Sequence, residues 1–292
     1  MLSRHKMRRM ALPPPSATLP LPLIGLGTWR MGESRSTRAA ELAALRDALD
    51  IGYRAFDTAE MYGEGGAETL LGQALGAALR GALQRDALCV VSKVYPHHAS
   101  AAGVVAACER SLRRLQLDQL DLYLLHWRGA VPLAQTIEGF ERLRARGLIR
   151  RWGVSNFDLD DMQELVATPG GEGCSANQVW YSLGRRGVEF DLLPWQRQRK
   201  MALMAYSPID QGELARHAGL RRLAAEIGAT PAQLALARLL AEPGVMAIPK
   251  SADAARQREN FAAAALTLDA AARQRIDAMF PPPRRKQALA VG

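Results

Sequence analysis

The sequence predicts an α/β protein of one domain, a (β/α)8 TIM barrel, and three observations lead to this fold class. Eight short runs rich in Val, Ile, Leu and Tyr recur along the chain, and such runs are typical of buried strands. Longer stretches with helical spacing separate most of them, with no tight two-residue hairpins, which favours parallel strands joined by helical crossovers. At 292 residues, the chain also has the length of a single α/β barrel.

The predicted strands follow one another as Leu23–Leu26, Tyr53–Asp57, Leu88–Val94, Leu120–His126, Arg151–Ser155, Ala176–Val179, Met201–Tyr206 and Val245–Pro249. Eight such units in about 250 residues favour a closed barrel over an open sheet. An open dinucleotide-binding sheet would carry Gly-x-Gly-x-x-Gly after its first strand. The stretch Gly25-Leu26-Gly27-Thr28-Trp29-Arg30 lacks the third glycine, so this fingerprint is absent.

Helices are predicted between the strands. The apolar residues of Thr37–Asp50 and of Ala101–Leu115 recur at helical spacing and so lie near one side of each stretch. Another helix begins at Thr230-Pro231-Ala232-Gln233, where threonine suits the N-cap, proline the first helical position and glutamine the reciprocal capping position.

The predicted barrel spans residues 18–280, between a basic, proline-rich N-terminal tail, residues 1–17, and a C-terminal tail, residues 281–292. The net charge is +9, of which residues 1–10 contribute four positive charges and residues 284–286 three, which leaves +2 for the residues between. A nucleic-acid-binding domain concentrates its charge on a folded face. We therefore expect no nucleic-acid partner and interpret both tails as solvated ends.

Composition also bears on location and partners. No apolar run approaches the roughly 20 residues that span a bilayer, so no membrane insertion is expected. The cysteines are three in number and far apart, which argues against a disulfide framework or a clustered metal site and suits the cytoplasm. No pattern encodes the oligomeric state, for which a monomer is our expectation.

Polar residues stand at the C-terminal ends of the predicted strands: Asp57, Lys93, His126, Ser155-Asn156, Gln178, Tyr206 and Lys250-Ser251. In a barrel these ends meet at one face, where active sites form. Any one of them alone is open to interpretation as a helix cap or a satisfied core group, but seven along one edge favour a site. Lysine is also scarce, with five lysines against 33 arginines, yet two strands end in lysine.

The first three strand ends, with Tyr62 five residues after Asp57, form a chemically coherent set. A tyrosine with a pKa of about 10 is a poor proton donor at pH 7. A neighbouring Lys93 ammonium is expected to lower that pKa by roughly 2–3 units, while Asp57 keeps Lys93 charged and oriented. His126 would hydrogen-bond the substrate oxygen. This set suits protonation of a developing alkoxide, as carbonyl reduction requires.

These residues lie in segments that resemble the aldo-keto reductase family. Phe56-Asp57-Thr58-Ala59-Glu60-Met61-Tyr62-Gly63 resembles the family's segment with the aspartate and the catalytic tyrosine, Val91-Ser92-Lys93-Val94 its lysine strand, and Leu124-Leu125-His126-Trp127 its histidine strand. The resemblance runs in order from about residue 20 to 280. It implies reversible NADPH-dependent reduction of aldehydes or ketones with Tyr62 as the proton donor, in the manner of bacterial reductases of small aldehydes such as methylglyoxal.

The resemblance also implies which residues hold NADP(H). Ser155, Asn156 and Gln178 would bind the nicotinamide carboxamide. Tyr206 would stack on the nicotinamide ring, and Ser207, the next residue, would belong to the same cofactor-binding segment. The adenosine 2′-phosphate and adenine would be held by Lys250, Ser251, Arg256, Glu259 and Asn260. No metal is implied.

Three tryptophans at or just past strand ends, Trp29, Trp127 and Trp180, are candidate walls of a substrate pocket, although any of them could equally belong to the core. Trp29 and Trp127 are the two that we assign to the pocket. After Trp127 stands Arg128, where many members of the family have proline, which could alter the loop near the substrate.

Two other functions compete with a carbonyl reductase. A non-enzymatic NADP(H)-binding sensor, like the potassium-channel β subunits of this superfamily, is disfavoured because the catalytic set is complete. A phosphate-binding barrel isomerase needs a glycine-rich phosphate loop near the eighth strand, which Ile248-Pro249-Lys250-Ser251 does not supply. The physiological substrate is not predicted by any of these patterns.

Overall fold

Eight parallel strands close into one barrel. The computed structural model describes residues 21–292, so the predicted N-terminal tail, residues 1–17, lies outside the described residues. Neighbouring strands pair in chain order from the first to the eighth, and a parallel bridge between Ile24 and Ala247 joins the two ends of the sheet. The strands are β1 (Leu26–Gly27), β2 (Ala55–Asp57), β3 (Cys89–Val94), β4 (Leu120–Leu125), β5 (Ile149–Ser155), β6 (Ala176–Trp180), β7 (Ala202–Tyr206) and β8 (Val245–Ala247). The predicted (β/α)8 barrel is confirmed.

Helices follow every strand in the described part of the chain. One helix follows each of the first six strands: α1 (Arg38–Ile51), α2 (Gly66–Leu79), α3 (Ala101–Leu115), α4 (Leu133–Ala145), α5 (Leu159–Ala167) and α6 (Leu192–Gln198). Three connect the last two strands: α7 (Glu213–Arg216), α8 (Ala218–Ile227) and α9 (Pro231–Leu240). Two follow the eighth strand: α10 (Ala254–Ala262) and α11 (Ala270–Met279).

Local sequence signals explain most of these boundaries. The bounds of α3 agree with the prediction, and the predicted capping box of α9 is present, since the Thr230 and Gln233 side chains each accept a hydrogen bond from the other's backbone N–H. The eighth strand ends at Ala247, two residues before the predicted end. Ile248 still donates its N–H to Ala205 O, but Pro249 has no N–H with which to extend the ladder.

The core forms two layers because side chains alternate across each strand. The interior of the barrel is filled by Ala55, Val91, Leu122, Leu124, Ala176, Met204, Met246 and Ile248. The alternate residues of each strand point outward and pack against the helices. Tyr123 on β4 contacts Phe140 of α4 edge to face at 5.8 Å, and Phe140 stacks on Trp152 of β5 at 5.2 Å. The filled interior leaves the C-terminal face as the place for a site.

Two glycines bring the loop after β1 against the loop that carries Tyr62. Gly32 has φ +77°, and a Cβ there would lie 2.3 Å from the backbone carbonyl carbon of Gly66. The Gly32 N–H donates to the Glu41 carboxylate at 2.9 Å. Only a residue without a side chain permits this approach, so the two loops pack with their backbones in contact.

The C-terminal tail, residues 281–292, returns across the C-terminal face of the barrel. Arg284 and Arg285 are exposed, as predicted for a solvated end. Leu289, however, packs against the core, Lys286 pairs with Asp160 at 3.1 Å, and Gly292 lies against the Trp180 ring. The tail therefore contributes to the surroundings of the cleft described below.

Two further properties concern the described residues. None of the helices within residues 21–292 has both the length and the apolar character needed to cross a membrane. The same residues contain no group of three or more His, Cys, Asp or Glu side chains placed to hold a metal ion.

Candidate active site

The predicted catalytic residues meet at the C-terminal face of the barrel. Asp57 ends β2, Lys93 lies near the end of β3, His126 follows β4 and Tyr62 lies in the loop after β2. Lys93 Nζ donates to Asp57 Oδ2 at 2.8 Å, to the Thr58 carbonyl at 2.9 Å and to the Tyr62 hydroxyl at 3.2 Å. The Lys93 ammonium thus uses all three of its donors within the protein, one of them on the phenol oxygen.

Burial and the neighbouring charges together set the pKa values of Tyr62 and Lys93. The pKa of Tyr62 is raised because the ring is desolvated, although Lys93 acts in the opposite direction. The expected net lowering of the Tyr62 pKa by Lys93 is therefore wrong: the ammonium lowers it as predicted, but the loss of hydration is larger. Burial opposes a charged Lys93 as well, yet Asp57 and Tyr62 beside it leave the pKa of Lys93 above its ordinary value. The site holds a protonated phenol against a charged ammonium.

His126 completes the set as a neutral imidazole. Its ring lies edge to face with the Tyr62 ring, with centroids 5.7 Å apart. Burial, and secondarily the Lys93 charge, hold the pKa of His126 well below its usual value. The buried Nδ1 has no hydrogen-bond partner among the described residues. A neutral imidazole carries one N–H, so His126 can donate to an oxygen in the cleft without carrying a charge.

The residues predicted to hold the nicotinamide, which are Ser155, Asn156, Gln178 and Tyr206, lie beside this set on β5, β6 and β7 or directly after them. The Ser155 hydroxyl donates to the Gln178 carbonyl at 2.9 Å. Asn156 adopts φ +59°, and its amide donates to the His126 carbonyl and accepts from the Tyr206 hydroxyl. Gln178 Nε2 donates to Asp57 Oδ1 at 2.7 Å. Hydrogen bonds therefore connect the predicted carboxamide residues to the catalytic set.

The residues predicted to hold a 2′-phosphate and an adenine line the far end of the same cleft, which has a volume of about 960 Å³. This group comprises Lys250, Ser251, Arg256, Glu259 and Asn260, and Ser207, predicted with Tyr206 for the nicotinamide segment, lines the same cleft. Lys250 and Arg256 are exposed, and within residues 21–292 neither side chain makes an ion pair. Glu259 accepts a hydrogen bond from Thr230 at 2.5 Å, which links this end of the cleft to the start of α9.

The two predicted substrate walls occupy different places. Trp29 lines the cleft. Trp127 is not among the cleft-lining residues, but packs between the rings of His126, 4.9 Å away, and Tyr95, 6.0 Å away. Arg128, which follows it, forms a bidentate pair with Glu164 of α5 and so ties this loop to that helix. A role for Trp127 in substrate binding stays a prediction.

The cleft also contains residues that the sequence analysis did not propose. They include Arg30, Met61, Gln211 and Arg216. Arg30 and Met61 directly follow or precede residues that were proposed, so their proximity to Trp29 and Tyr62 was a usable signal. Gln211 lies in the connection from β7 to α7 and Arg216 ends α7, and in such a segment no residue pattern separates lining side chains from solvated ones.

Known proteins resemble this chain over most of its length. The model of the aldo/keto reductase family matches residues 23–280. Methylglyoxal reductase YeaE of Escherichia coli K12 is 46% identical over 279 residues, which cover 94% of this chain and 96% of that protein. Methylglyoxal reductase DkgB of Salmonella typhimurium is 30% identical over 254 residues, which cover 85% of this chain and 88% of that protein.

A solved structure shares the fold as well. The crystal structure of an aldo/keto reductase from Klebsiella pneumoniae, in complex with NADP and acetate, is 49% identical, covers 93% of this chain and 96% of that chain, and superposes with a TM-score of 0.88. Both the predicted fold and the predicted enzyme class, an oxidoreductase of carbonyl groups, are confirmed. The chain belongs to the aldo/keto reductase family.

Proposed function

We propose that this chain reduces small aldehydes and ketones, methylglyoxal among them, to alcohols with NADPH, and that Tyr62 is the general acid. The observation that carries the proposal is the position of the Tyr62 hydroxyl, 3.2 Å from Lys93 Nζ, on the wall of the cleft and beside a neutral His126. A phenol in this position can release a proton to an oxygen in the cleft while the ammonium stabilises the phenolate left behind.

The residues of the cleft fit NADP(H). Amide and hydroxyl side chains lie next to Tyr62 at one end, where a carboxamide could be bound, and Tyr206 offers an aromatic face there. At the other end Lys250 and Arg256, which form no ion pairs within residues 21–292, offer cationic donors suited to a phosphate. The relatives crystallised with NADP or NADPH support the same cofactor.

When bound, NADPH would supply the hydride that reaches the carbonyl carbon of the substrate. The chain's own residues would do the rest. His126 would donate a hydrogen bond to the carbonyl oxygen, and Tyr62 would transfer its proton to that oxygen as negative charge develops there. Lys93 would stabilise the phenolate, and Asp57 would hold Lys93 against Tyr62. The proton that leaves Tyr62 would later be replaced from solvent.

The substrate class rests on the relatives and on the walls of the cleft. Two relatives carry the name methylglyoxal reductase. Trp29, Met61 and Trp180 give the cleft apolar walls, which suit a small carbonyl compound.

The test is consumption of NADPH with a panel of small dicarbonyls, aromatic aldehydes, sugars and ketosteroids. We expect kcat/KM for methylglyoxal to exceed the values for sugars and steroids, with NADPH preferred over NADH. Turnover with none of the panel, together with tight NADPH binding, would instead favour the non-enzymatic sensor.

A further inference from the structure

Gln178 belongs both to the residues predicted to bind the nicotinamide carboxamide and to the hydrogen-bonded group around Asp57. It is the central residue of β6, is 2% exposed and lines the cleft. Its side-chain amide donates from Nε2 to Asp57 Oδ1 at 2.7 Å, while Asp57 Oδ2 accepts from Lys93 at 2.8 Å. The buried Asp57 carboxylate is therefore held from two sides, by a neutral amide and by an ammonium.

The hydrogen bond to Asp57 also fixes which way the amide faces. A carboxylate accepts and does not donate, so the Gln178 nitrogen must be the atom on Asp57. Gln178 Oε1 accepts no hydrogen bond from residues 21–292, which leaves it as an acceptor toward the cleft. Asn156 differs, because its oxygen already accepts from Tyr206 and its nitrogen donates to the His126 carbonyl.

We propose that Gln178 is a positioning residue for proton transfer: its amide holds Asp57, Asp57 holds Lys93, and Lys93 holds the Tyr62 hydroxyl. The proposal rests on the proposed function and deepens it, because it makes one residue of the predicted cofactor site part of the proton-donating arrangement. The chain of contacts runs through distances of 2.7, 2.8 and 3.2 Å.

Loss of the Gln178 amide would act on Tyr62 through Asp57. Without this donor, the full negative charge of Asp57 faces Lys93 and Tyr62, and the carboxylate is free to rotate and draw the ammonium with it. Both effects disfavour the Tyr62 phenolate. The titratable groups that share these surroundings are Lys93, Tyr62, His126, Tyr206 and, lower on β3, Cys89.

The first experiment compares Gln178→Met with Asn156→Ala, which removes a predicted cofactor contact without touching Asp57. Both variants should bind NADPH about tenfold more weakly, as expected for the loss of one hydrogen bond. Both variants should lower kcat at saturating NADPH, since Asn156 also contacts the His126 carbonyl, but only Gln178→Met should move the alkaline limb of the kcat profile to higher pH. If both variants share the wild-type pH profile, Gln178 only holds the cofactor and the proposal is overturned.

The second experiment uses the chain without cofactor, so that its outcome does not depend on the proposed function. Gln178→Glu places a second carboxyl beside Asp57, and two carboxylates at this distance in a buried site cannot both ionise. The pKa of the introduced carboxyl in the folded state is then raised, so the stability of the variant is retained at low pH and lost as pH rises through that pKa. Below that pKa, the introduced carboxyl is protonated and can again donate to Asp57.

Gln196→Glu is the matched control, because Gln196 is equally buried but its amide donates to the Ala202 carbonyl rather than to a carboxylate. Thermal denaturation from pH 5 to pH 8 should show a larger loss of Tm for Gln178→Glu than for Gln196→Glu, and kcat of Gln178→Glu should recover toward low pH. Equal pH dependence of the two Tm values would contradict the hydrogen bond between Gln178 and Asp57, and with it the proposal. Absence of NADPH binding and turnover in the wild type would overturn the proposed function and leave the Tm comparison intact.

Discussion

The ammonium of Lys93 lies 3.2 Å from the hydroxyl of Tyr62; Lys93 is fully buried, and Tyr62 is buried except where it lines the cleft. Burial makes the phenol reluctant to ionise, while the ammonium stabilises the phenolate that forms when the proton leaves. The phenol consequently stays protonated in the resting site and becomes a better donor only as negative charge develops on a nearby oxygen.

The first prediction concerns the hydroxyl itself. Tyr62→Phe should lower kcat for carbonyl reduction by ~100-fold or more, because the group that protonates the alkoxide is removed. NADPH binding should stay within a few-fold of the wild type, measured by quenching of tryptophan fluorescence. Near-normal turnover of this variant would contradict the assignment of Tyr62 as the acid.

The second prediction concerns Lys93. Its charge lowers the pKa of Tyr62 against the larger effect of burial, so Lys93→Met should move the ionisation of Tyr62 to still higher pH and depress kcat. The alkaline limb of the kcat profile for reduction should shift upward accordingly. Because the substitution leaves Asp57 buried without its ion pair, we also expect a loss of about 3–5 kcal/mol in the free energy of unfolding. Urea denaturation must therefore accompany the kinetics, and a downward shift of the alkaline limb in folded protein would contradict the prediction.

The proximity of the predicted catalytic residues could be expected from the sequence because parallel strands bring their C-terminal ends to one face. Asp57, Lys93, His126 and Gln178 each stand at or near the end of a predicted strand, so their order along the chain was sufficient to place them together. The sign of the Tyr62 pKa shift was not predictable, because it depends on how deeply the ring is buried. The Gln178–Asp57 hydrogen bond was hidden for a similar reason: it joins β2 to β6 across the barrel, and no spacing reports contacts over 121 residues.

Strand and loop details were also only partly encoded. The apolar run at Leu23–Leu26 marks the first strand, but the pairing with β2 begins at Leu26, and pairing depends on the neighbouring strand rather than on the run itself. The left-handed backbone of Asn156 and Ser207 occurs at residues other than glycine, so no glycine signal revealed it. The contacts of residues 286–292 with the barrel were missed because a basic, proline-rich stretch also suits a solvated end.

The third prediction concerns the preference for NADPH. Arg256 lines the cleft, and within residues 21–292 its guanidinium has no ion-pair partner. If it holds the 2′-phosphate, Arg256→Ala should weaken NADPH binding by ~10- to 100-fold and leave NADH binding nearly unchanged. Arg258→Ala, at an exposed position on the same helix that does not line the cleft, is the control and should change neither. Titration of each variant with NADPH and with NADH measures the two affinities. An equal loss of affinity for both cofactors would mean that Arg256 supports the fold or binds the adenine.

The fourth prediction concerns the pH dependence of stability. Asp277 of α11 accepts hydrogen bonds from Arg186 and Arg238, both largely buried. Burial opposes the charge of Asp277, but these two arginines bring its pKa below the ordinary value. The stability that the charged Asp277 gives to the folded state is therefore present above the unfolded-state pKa of about 4. It is lost as pH falls through the folded-state pKa.

Asp277→Asn should accordingly lower the free energy of unfolding at pH 7 by about 2 kcal/mol, less than for a fully buried pair because Asp277 is partly exposed. The difference from the wild type should shrink below about pH 4. Urea denaturation at pH 7 and pH 3 measures both values. The exposed pair of Glu226 and Arg275 supplies the control, since Glu226→Gln should leave stability almost unchanged at either pH. A constant difference across the pH range would show that Asp277 acts through packing.

The fifth prediction separates the energetic cost of a left-handed backbone from the cost of a steric clash, at the loop that packs against the Tyr62 loop. Gly32 and Gly147 have nearly the same φ, +77° and +74°, but a Cβ at Gly147 meets nothing within 4 Å, whereas one at Gly32 would lie 2.3 Å from the Gly66 backbone. Gly147→Ala should cost only the left-handed conformation, about 1–2 kcal/mol. Gly32→Ala should cost clearly more, because the backbone at Gly66 cannot yield as a side chain would.

Since Gly66 begins α2 just after the turn that follows Tyr62, the displaced loop should also carry the phenol away from Lys93. We therefore expect Gly32→Ala to lower kcat as well as Tm, whereas Gly147→Ala, in the turn that connects α4 to β5, should lower Tm alone. Thermal denaturation and steady-state kinetics of the two variants make the comparison. Equal losses of Tm, with kcat unchanged in both, would mean that the loop after β1 adapts and that its contact with Gly66 does not position Tyr62.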